Sequence, residues 1–211
     1  MVLGILSVIS FALTETKPRI FLIGDSTTAN KTTAVFPETG WGMIFPQYIN
    51  VEVQNHAVNG RSTRSFRTLG HWAKVTEQLR KDDWVFIQFG HNDSKESDTA
   101  RYAPAQTDYR NNLIRYITEI RSKGAKPLLI TPVMRRKFDE QGNFVDQHGD
   151  YPTVVKEVAM KLQVPLLDLH TKSKDAIVKL GVEDSKKMFL NLPSNTWKNY
   201  PQGKEDNTHF T

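Results

Sequence analysis

Five short and mostly continuous apolar runs recur along this chain, and the segments between them carry apolar residues at helical spacing. The runs cover residues 19–23, 51–54, 84–89, 127–131 and 165–169. Continuous apolar character is typical of strands that are buried on both faces, as in a parallel sheet. This alternation predicts an open α/β sandwich with about five parallel strands, too few for an eight-stranded barrel.

Four of the intervening segments are predicted to be helices: residues 72–79, 107–123, 153–162 and 174–180. In the second of them, Leu113, Ile117 and Ile120 share one helical face, and Gly124 provides a C-terminal cap. Gly181 closes the fourth helix in the same way. No repeat, low-complexity tract or linker interrupts the sequence, so we expect a single domain over residues 17–211.

Composition excludes several classes of protein. The 211 residues carry a formal net charge of +5, and basic and acidic residues alternate without forming a block. Nucleic acid is therefore not an expected partner. The chain has no cysteine, which excludes disulfides, thiolate catalysis and zinc–cysteine sites. The sequence gives no indication of an oligomeric state.

The N-terminal sequence is apolar over residues 2–13. This length suits the core of a signal peptide and is too short to cross a bilayer, and Ser10 and Ala12 offer a small-x-small cleavage site. No basic residue precedes Lys17, and a buried N-terminal strand is the alternative interpretation. We therefore expect residues 1–16 to be a signal-peptide remnant and the protein to be secreted or periplasmic, otherwise cytoplasmic, without stable membrane association.

Long polar loops follow the predicted strands, and the loops hold the residues that can do chemistry. The loops are residues 24–39, 55–65, 90–105 and 132–150. Because the carboxyl ends of parallel strands meet at one edge of a sheet, ligand sites form there. We call this edge the rim. From the strand order alone, the residues expected on the rim are Ser26, Gly60, residues 91–93, Arg135 and Arg136.

Ser26 lies in the stretch Gly-Asp-Ser-Thr-Thr that follows the first predicted strand. It is either part of a turn that caps the next helix or a nucleophile displayed at the end of a strand. A nucleophilic serine needs a base and a group that orients the base. Among six histidines, only His209 has a carboxylate, Asp206, both at a useful spacing and in a polar, loop-like context, since the two would share a face of a helical turn. A solvent-exposed Asx turn is the alternative.

Gly60 and Asn92 are candidate donors to an oxyanion. Gly60 allows a backbone N–H to approach a ligand without obstruction, and the Asn92 amide can donate from the same rim. Each residue also has an ordinary explanation as a turn former. His71 and His170 are predicted to be packing or capping residues.

Four ordered blocks, namely residues 24–26, Gly60, residues 90–93 and residues 206–209, resemble those of the SGNH (GDSL) hydrolases. The closer resemblance is to the rhamnogalacturonan acetylesterase-like branch, carbohydrate esterase family 12. It is carried by NGRSTRSF from Asn59, FIQFGHND from Phe86, TPVMRRKF from Thr131 and DNTHFT from Asp206. The resemblance implies a flavodoxin-like three-layer α/β/α sandwich with a five-stranded parallel sheet, and serine ester hydrolysis without a cofactor or metal.

The resemblance also implies roles for individual residues. Ser26 corresponds to the nucleophile, His209 to the base and Asp206 to its orienting acid. The N–H groups of Ser26 and Gly60 and the Asn92 side chain correspond to the oxyanion hole. Family members continue past the histidine into a C-terminal helix, so we expect that helix to be missing from this chain.

An acetyl ester of pectin or rhamnogalacturonan is the substrate that this branch implies. The strand-end loops hold no long apolar stretch that would line a groove for a fatty acyl chain, which favours an acetyl group. Guanidinium groups suit the carboxylates of galacturonate units. The possible substrate-binding residues are Arg61, His91, Arg135 and Arg136, with Arg64, Arg67 and Lys137 in the same loops. Surface ion pairs are the alternative explanation for these arginines.

Three other functions stay open at this point. A thioesterase or lipase would use the same fold on another acyl group. A metal-dependent phosphoesterase would use oxygen and nitrogen ligands on the rim, namely Asp25, His91, Asn92, Asp93 and His209. A non-catalytic carbohydrate-binding protein would stack sugars on Trp41, Trp72 and Trp197.

Overall fold

The computed structural model describes residues 17–211, and the predicted signal-peptide remnant at residues 1–16 lies outside them. Within the described residues, five strands form one sheet in the order β2-β1-β3-β4-β5, and every pairing is parallel. The strands are β1 (Ile20–Gly24), β2 (Val53–Asn55), β3 (Trp84–Gln88), β4 (Lys126–Ile130) and β5 (Leu166–Leu167). The predicted parallel sheet is therefore confirmed.

Helices connect the strands, and most lie where the apolar spacing predicts them. They are α1 (Trp41–Ile44), α2 (Thr63–Thr68), α3 (His71–Thr76), α4 (Arg110–Ser122), α5 (Tyr151–Lys161) and α6 (Leu169–Asp184). α6 starts earlier than the predicted 174–180, and Gly181, whose φ of 73° and ψ of −174° are not helical, ends its first segment as predicted before a short second segment follows. The Asp168 side chain accepts a hydrogen bond from the Thr171 N–H and starts α6, which explains why β5 ends earlier than predicted.

One face of the sheet packs against α2, α3, α4 and α5 in a continuous apolar core. Phe21 of β1 and Ile87 of β3 meet Leu113 and Ile117 of α4 and Val155 of α5 there, and all five are at most 1% exposed. Close packing of this kind fixes the positions of the strand ends. The rim at the carboxyl edge therefore rests on a rigid support.

The other face of the sheet is covered by α1, a 3₁₀ helix at Phe45–Tyr48, α6 and a two-stranded hairpin. These elements enclose an apolar cavity of about 440 Å³, whose lining includes Phe86 of β3 and Ile130 of β4. Helices therefore lie on both faces of the sheet, as the predicted α/β/α sandwich requires. No helix of residues 17–211 has the length and apolar character needed to cross a membrane.

The hairpin was not predicted from the sequence. It pairs β6 (Phe189–Leu192) with β7 (Lys204–Phe210) in antiparallel fashion. Phe189 pairs with Phe210 while Asn191 pairs with Glu205, so residues 206–209 bulge out of the ladder. The prediction that residues 206–209 form a helical turn is wrong: they belong to a bulged strand.

Candidate active site

Ser26 is displayed at the carboxyl end of β1. A Cβ atom at Gly24 would lie 2.7 Å from the Gln88 carbonyl oxygen on β3, so glycine is needed where β1 turns away from the sheet. The N–H groups of Thr28 and Ala29 donate to the Asp25 carbonyl oxygen, which closes a tight turn around Ser26. Ser26 is half-buried in this turn, while its neighbours are buried.

His209 and Asp206 lie beside this serine. The His209 Nε2 atom is 2.9 Å from Ser26 Oγ, and the His209 Nδ1 atom is 2.8 Å from Asp206 Oδ2. When Nδ1 carries the proton and donates it to the carboxylate, Nε2 is free to accept the hydroxyl proton of Ser26. The structure thus brings together the three residues that the sequence singled out.

The bulge in β7 explains how Asp206 and His209 meet, since residues three apart face opposite sides of a regular strand. Asp206 Oδ1 accepts hydrogen bonds from the N–H groups of Thr208, at 2.8 Å, and His209, at 3.1 Å. The Asx turn considered as an alternative is therefore present, and it positions the histidine. Burial alone would raise the pKa of Asp206, but the hydrogen bonds from the His209 ring and from Thr208 and His209 outweigh it and hold that pKa well below its usual range.

Arg136 supports the bulge from the protein interior. Its backbone N–H donates to the Asn207 carbonyl oxygen at 2.8 Å, and its guanidinium donates to Asn207 Oδ1 and Ser185 Oγ, both at 2.9 Å, and to the Val182 carbonyl oxygen. Arg136 is only 8% exposed. The structure therefore corrects the expectation that Arg136 is free to bind substrate, because its hydrogen-bonding groups are used within the fold.

Three donors lie after the adjacent strands β2, β1 and β3, in the pattern expected for an oxyanion hole. Gly60 adopts φ 71°, which favours glycine, and neither its N–H nor that of Ser26 donates to a protein acceptor within residues 17–211. The Asn92 amide is buried, and its Nδ2 donates to the Arg61 carbonyl oxygen at 3.0 Å. Arg101 Nη1 lies 3.4 Å from Asn92 Oδ1 and holds the other end of the amide.

His91 lies beneath the rim instead of facing it. It is 3% exposed, its Nδ1 is 3.1 Å from Oδ2 of the fully buried Asp25, and its Nε2 is 3.0 Å from the Val133 carbonyl oxygen. Burial would raise the pKa of Asp25, but the charge and hydrogen bond of His91, together with hydrogen bonds from Thr27, lower it overall. These contacts give His91 a supporting position, which corrects the expectation that it contacts substrate.

Some of the other basic residues near the rim form ion pairs with acidic side chains, and others do not. Arg64 forms an ion pair with Asp108, and Arg67 forms one with Glu119, so the ion-pair explanation holds for both. The remaining three residues lie at or near the rim. Half-buried Arg135 donates to the His91 carbonyl oxygen at 2.9 Å, half-buried Arg61 has an Nε atom without a partner in the described chain, and Lys137 is exposed.

The rim residues that would serve a phosphoesterase are used in other ways. Asp25, His91, Asp93 and His209 do not converge into a metal-ligating group of three within residues 17–211. Asp93 Oδ1 accepts a hydrogen bond from the Thr63 N–H at 2.9 Å, and burial, helped by the nearby charge of Asp25, raises the pKa of Asp93 to about 7.

Two of the tryptophans that would stack on sugars use their indole N–H groups within the fold. Trp41 Nε1 donates to Gln88 Oε1, and the buried Trp72 donates through Nε1 to Glu119 Oε2. Trp197 is half-buried, with its ring edge-on to Phe36 at 5.4 Å. The geometry therefore gives little support to a binding protein that relies on these three rings.

Sequence reasoning missed a cluster formed by Asp146, His148 and His170. Asp146 contacts both histidines, and His148 Nε2 lies 3.4 Å from His91 Nε2. Burial lowers the pKa of His148 to about 4. The Asp146-x-His148 spacing was visible in the sequence, but only the fold brings His170, which was expected to be a packing or capping residue, next to it.

The chain matches known sequences over most of its length. The model of the GDSL-like Lipase/Acylhydrolase family matches residues 22–188. The rhamnogalacturonan acetylesterase RhgT of Bacillus subtilis (strain 168) is 40% identical over 195 residues, which make up 92% of this chain and 82% of that protein.

Two solved structures share the fold. Protein YXIM_BACsu from Bacillus subtilis aligns with a TM-score of 0.77 at 23% identity over 92% of this chain and 52% of that chain, so this chain spans about half of its length. The acetylxylan esterase Axe2 from Geobacillus stearothermophilus aligns with a TM-score of 0.58 at 20% identity over 77% of this chain and 81% of that chain.

Proposed function

The chain belongs to the GDSL-like lipase/acylhydrolase family, and from this premise we propose that it is a serine esterase that removes acetyl groups from a carbohydrate. Acetylated rhamnogalacturonan or pectin is the proposed substrate class. The observation that carries the proposal is the chain of contacts from Ser26 Oγ through the His209 ring to Asp206. The 40% identity to a protein named as a rhamnogalacturonan acetylesterase supports the substrate class.

In the proposed first step, Ser26 Oγ attacks the acetyl carbonyl carbon while His209 Nε2 takes the hydroxyl proton. The negative charge that develops on the carbonyl oxygen is met by the N–H groups of Ser26 and Gly60 and by the Asn92 amide. When the ester bond breaks, the sugar hydroxyl leaves with the proton from His209, and an acetyl group stays on Ser26. Asp206 stabilises the imidazolium that forms between these events.

In the second step a water molecule replaces the sugar. His209 Nε2 takes a proton from the water as its oxygen attacks the acetyl carbon of the acyl-enzyme. The same three donors meet the second oxyanion, acetate leaves, and the proton returns from His209 to Ser26 Oγ. No cofactor or metal takes part in either step.

Recognition of an acidic polymer rests on fewer residues than the sequence suggested. Arg61, Arg135 and Lys137 are the cations proposed to meet galacturonate carboxylates, because Arg64 and Arg67 are paired and Arg136 is buried. Arg61 and Arg135 are also close to the reacting groups, since the Arg61 carbonyl oxygen binds Asn92 and the Arg135 guanidinium binds the backbone of His91.

A lipase or thioesterase is the second candidate function, and one observation favours it. The apolar cavity of about 440 Å³ is lined by Phe210, which directly follows His209, and by Trp41 and Phe45. A cavity of this size can hold an acyl chain longer than acetyl. None of Ser26, Asn92 and His209 lines this cavity, so the second candidate rests on the position of Phe210 next to His209 in the chain.

One set of assays separates these possibilities. Acetate release is measured from acetylated rhamnogalacturonan and from acetylated xylan, and aryl acetyl and aryl octanoyl esters are compared on the same enzyme. The proposal predicts faster release from the acidic polymer, with a preference that weakens at high salt, and faster hydrolysis of the acetyl ester. Preference for the octanoyl ester favours the lipase, and equal rates on both polymers contradict the acidic substrate.

Secretion is also part of the proposal. It rests on the apolar sequence of residues 2–13 and on a substrate that is a polymer outside the cell. The expected result is that the protein, expressed in its own host, accumulates in the culture medium or periplasm with an N-terminus later than residue 1. Retention of the whole sequence in the cytoplasm would contradict it.

A further inference from the structure

Asp146, His148 and His170 bring three metal-ligating side chains together on the far side of His91 from Asp25. Each of the three offers a ligand atom, and these atoms all lie within 4.8 Å of one another. Asp146 and His148 belong to the loop between β4 and α5, while His170 lies in the first turn of α6. In the part of the chain that the structure describes, this is the one group of three such side chains.

The spacing of the three side chains suits a shared ion. Asp146 Oδ2 lies 3.0 Å from His170 Nε2, and Asp146 Oδ1 lies 3.3 Å from His148 Nδ1. Ligand atoms that bind one zinc ion at about 2.0–2.2 Å stand roughly 3 Å or more apart. A small movement of these side chains is therefore enough to direct all three at one point.

His170 supplies an independent sign that the cluster can take a ligand. The residue is 9% exposed, and its Nε2 atom has no hydrogen-bond partner among residues 17–211. Asp146 Oδ2 is near enough but is not aligned with the ring N–H. A buried polar atom without a partner is costly, and a ligand that fills the position removes that cost. The Asp146 side chain is 40% exposed, which gives an ion a path from solvent.

We propose that Asp146, His148 and His170 bind one divalent first-row transition metal ion, of which Zn²⁺, Co²⁺ and Ni²⁺ are representatives. Two imidazoles and one carboxylate favour these ions over Mg²⁺ and Ca²⁺, which prefer oxygen ligands. The ion joins the loop after β4 to α6 and so stabilises the fold. This inference is independent of the proposed function, since no step of ester hydrolysis passes through the site.

Co²⁺ titration with visible spectroscopy and calorimetry tests the site on the full chain. Because Asp206 and His209 form a second imidazole–carboxylate pair, the titrations use a chain that carries His209→Gln. The expected result is one Co²⁺ per chain, with no comparable binding of Mg²⁺. Asp146→Asn and His170→Gln, each added to that background, are expected to weaken binding at least about tenfold. His71→Gln, a matched change at a histidine outside the cluster, leaves it unchanged.

Thermal unfolding gives a second readout. Zn²⁺ at about a hundred times its Kd is expected to raise Tm by roughly 5 °C or more, and Asp146→Asn and His170→Gln are expected to lose that rise. Circular dichroism shows which variants are folded, and either folded variant decides the question. Binding weaker than about 100 µM in the His209→Gln chain, or unchanged affinity in the folded variant, overturns the proposal.

Discussion

The Asn92 side chain is held at both ends, by the Arg61 carbonyl oxygen and by Arg101. A donor fixed in this way meets developing charge without reorganising, so it acts mainly in the transition state. Asn92→Ala is expected to lower kcat about 10²- to 10³-fold on an acetyl ester with little change in KM. Steady-state kinetics of the purified variant measure both constants.

Asn59→Ala is the matched control for Asn92→Ala. Asn59 is an exposed rim asparagine next to Gly60, and its Oδ1 atom accepts a hydrogen bond from Lys31. The control substitution is expected to leave kcat within about twofold of wild type, as surface substitutions usually have small effects. A rise in KM at constant kcat in Asn92→Ala would instead make Asn92 a substrate-binding residue.

The position of a rim side chain could be predicted from the sequence only where the residue directly follows a predicted strand. Ser26 and Asn92 follow buried strands directly, so the strand order was enough to place them on one edge. The fate of each arginine depended on partners far along the chain: Arg64 meets Asp108, and Arg136 meets Ser185. No local pattern distinguishes a paired guanidinium from a free one.

The bulged strand β7 depends on Arg136, whose backbone and guanidinium both bind Asn207 within the bulge. Arg136→Met removes the side-chain hydrogen bonds to Asn207, Ser185 and Val182 and frees the segment that carries Asp206 and His209. The unfolding free energy is expected to fall by about 2 kcal/mol or more. In kinetic assays on acetylated rhamnogalacturonan, kcat should fall while KM stays near the wild-type value.

Arg121→Met is the control for Arg136→Met, because Arg121 makes its hydrogen bonds at an exposed position, to the Leu162 carbonyl oxygen at the end of α5. It should change stability by about 0.5 kcal/mol or less and leave kcat intact. If Arg136→Met raised KM for the acidic polymer and left Tm and kcat unchanged, Arg136 would be a substrate-binding residue after all.

Strands of the parallel sheet were predictable because burial on both faces makes their sequences continuously apolar, as at 84–89. The hairpin was not predictable in the same way. β7 reads Lys-Glu-Asp-Asn-Thr-His-Phe, a polar sequence whose regular alternation is broken by the bulge at 206–209. Its pairing partner β6 lies across an irregular loop, so only tertiary contacts define the pair.

The unfolding free energy of the whole molecule should depend on the protonation of the buried Asp93 side chain. An aspartate in the unfolded chain titrates near pH 4, whereas burial raises the pKa of Asp93 in the folded protein to about 7. Between these values the folded state binds the additional proton. The stabilisation that the proton provides is therefore fully present below about pH 4 and is lost as the pH rises through about 7.

Asp93→Asn removes this dependence while it keeps an oxygen for the Thr63 N–H. The unfolding free energy of wild type minus that of the variant is expected to decrease from pH 4 to pH 7, by on the order of 1 kcal/mol per pH unit. Groups common to both proteins cancel in the difference. Urea unfolding at pH 4, 5.5 and 7 measures it, and a difference that does not change with pH would show that Asp93 titrates normally.

The proposed function of the whole molecule depends on Ser26 acting as the nucleophile. The most direct measurement is the kcat of Ser26→Ala on an acetyl ester, beside Ser94→Ala, a matched change at another half-buried serine of the same rim. We predict a loss on the order of 10⁶-fold for Ser26→Ala, with an unchanged circular dichroism spectrum, and near wild-type turnover for Ser94→Ala. A Ser26→Ala protein that kept a tenth of wild-type turnover would contradict the serine mechanism.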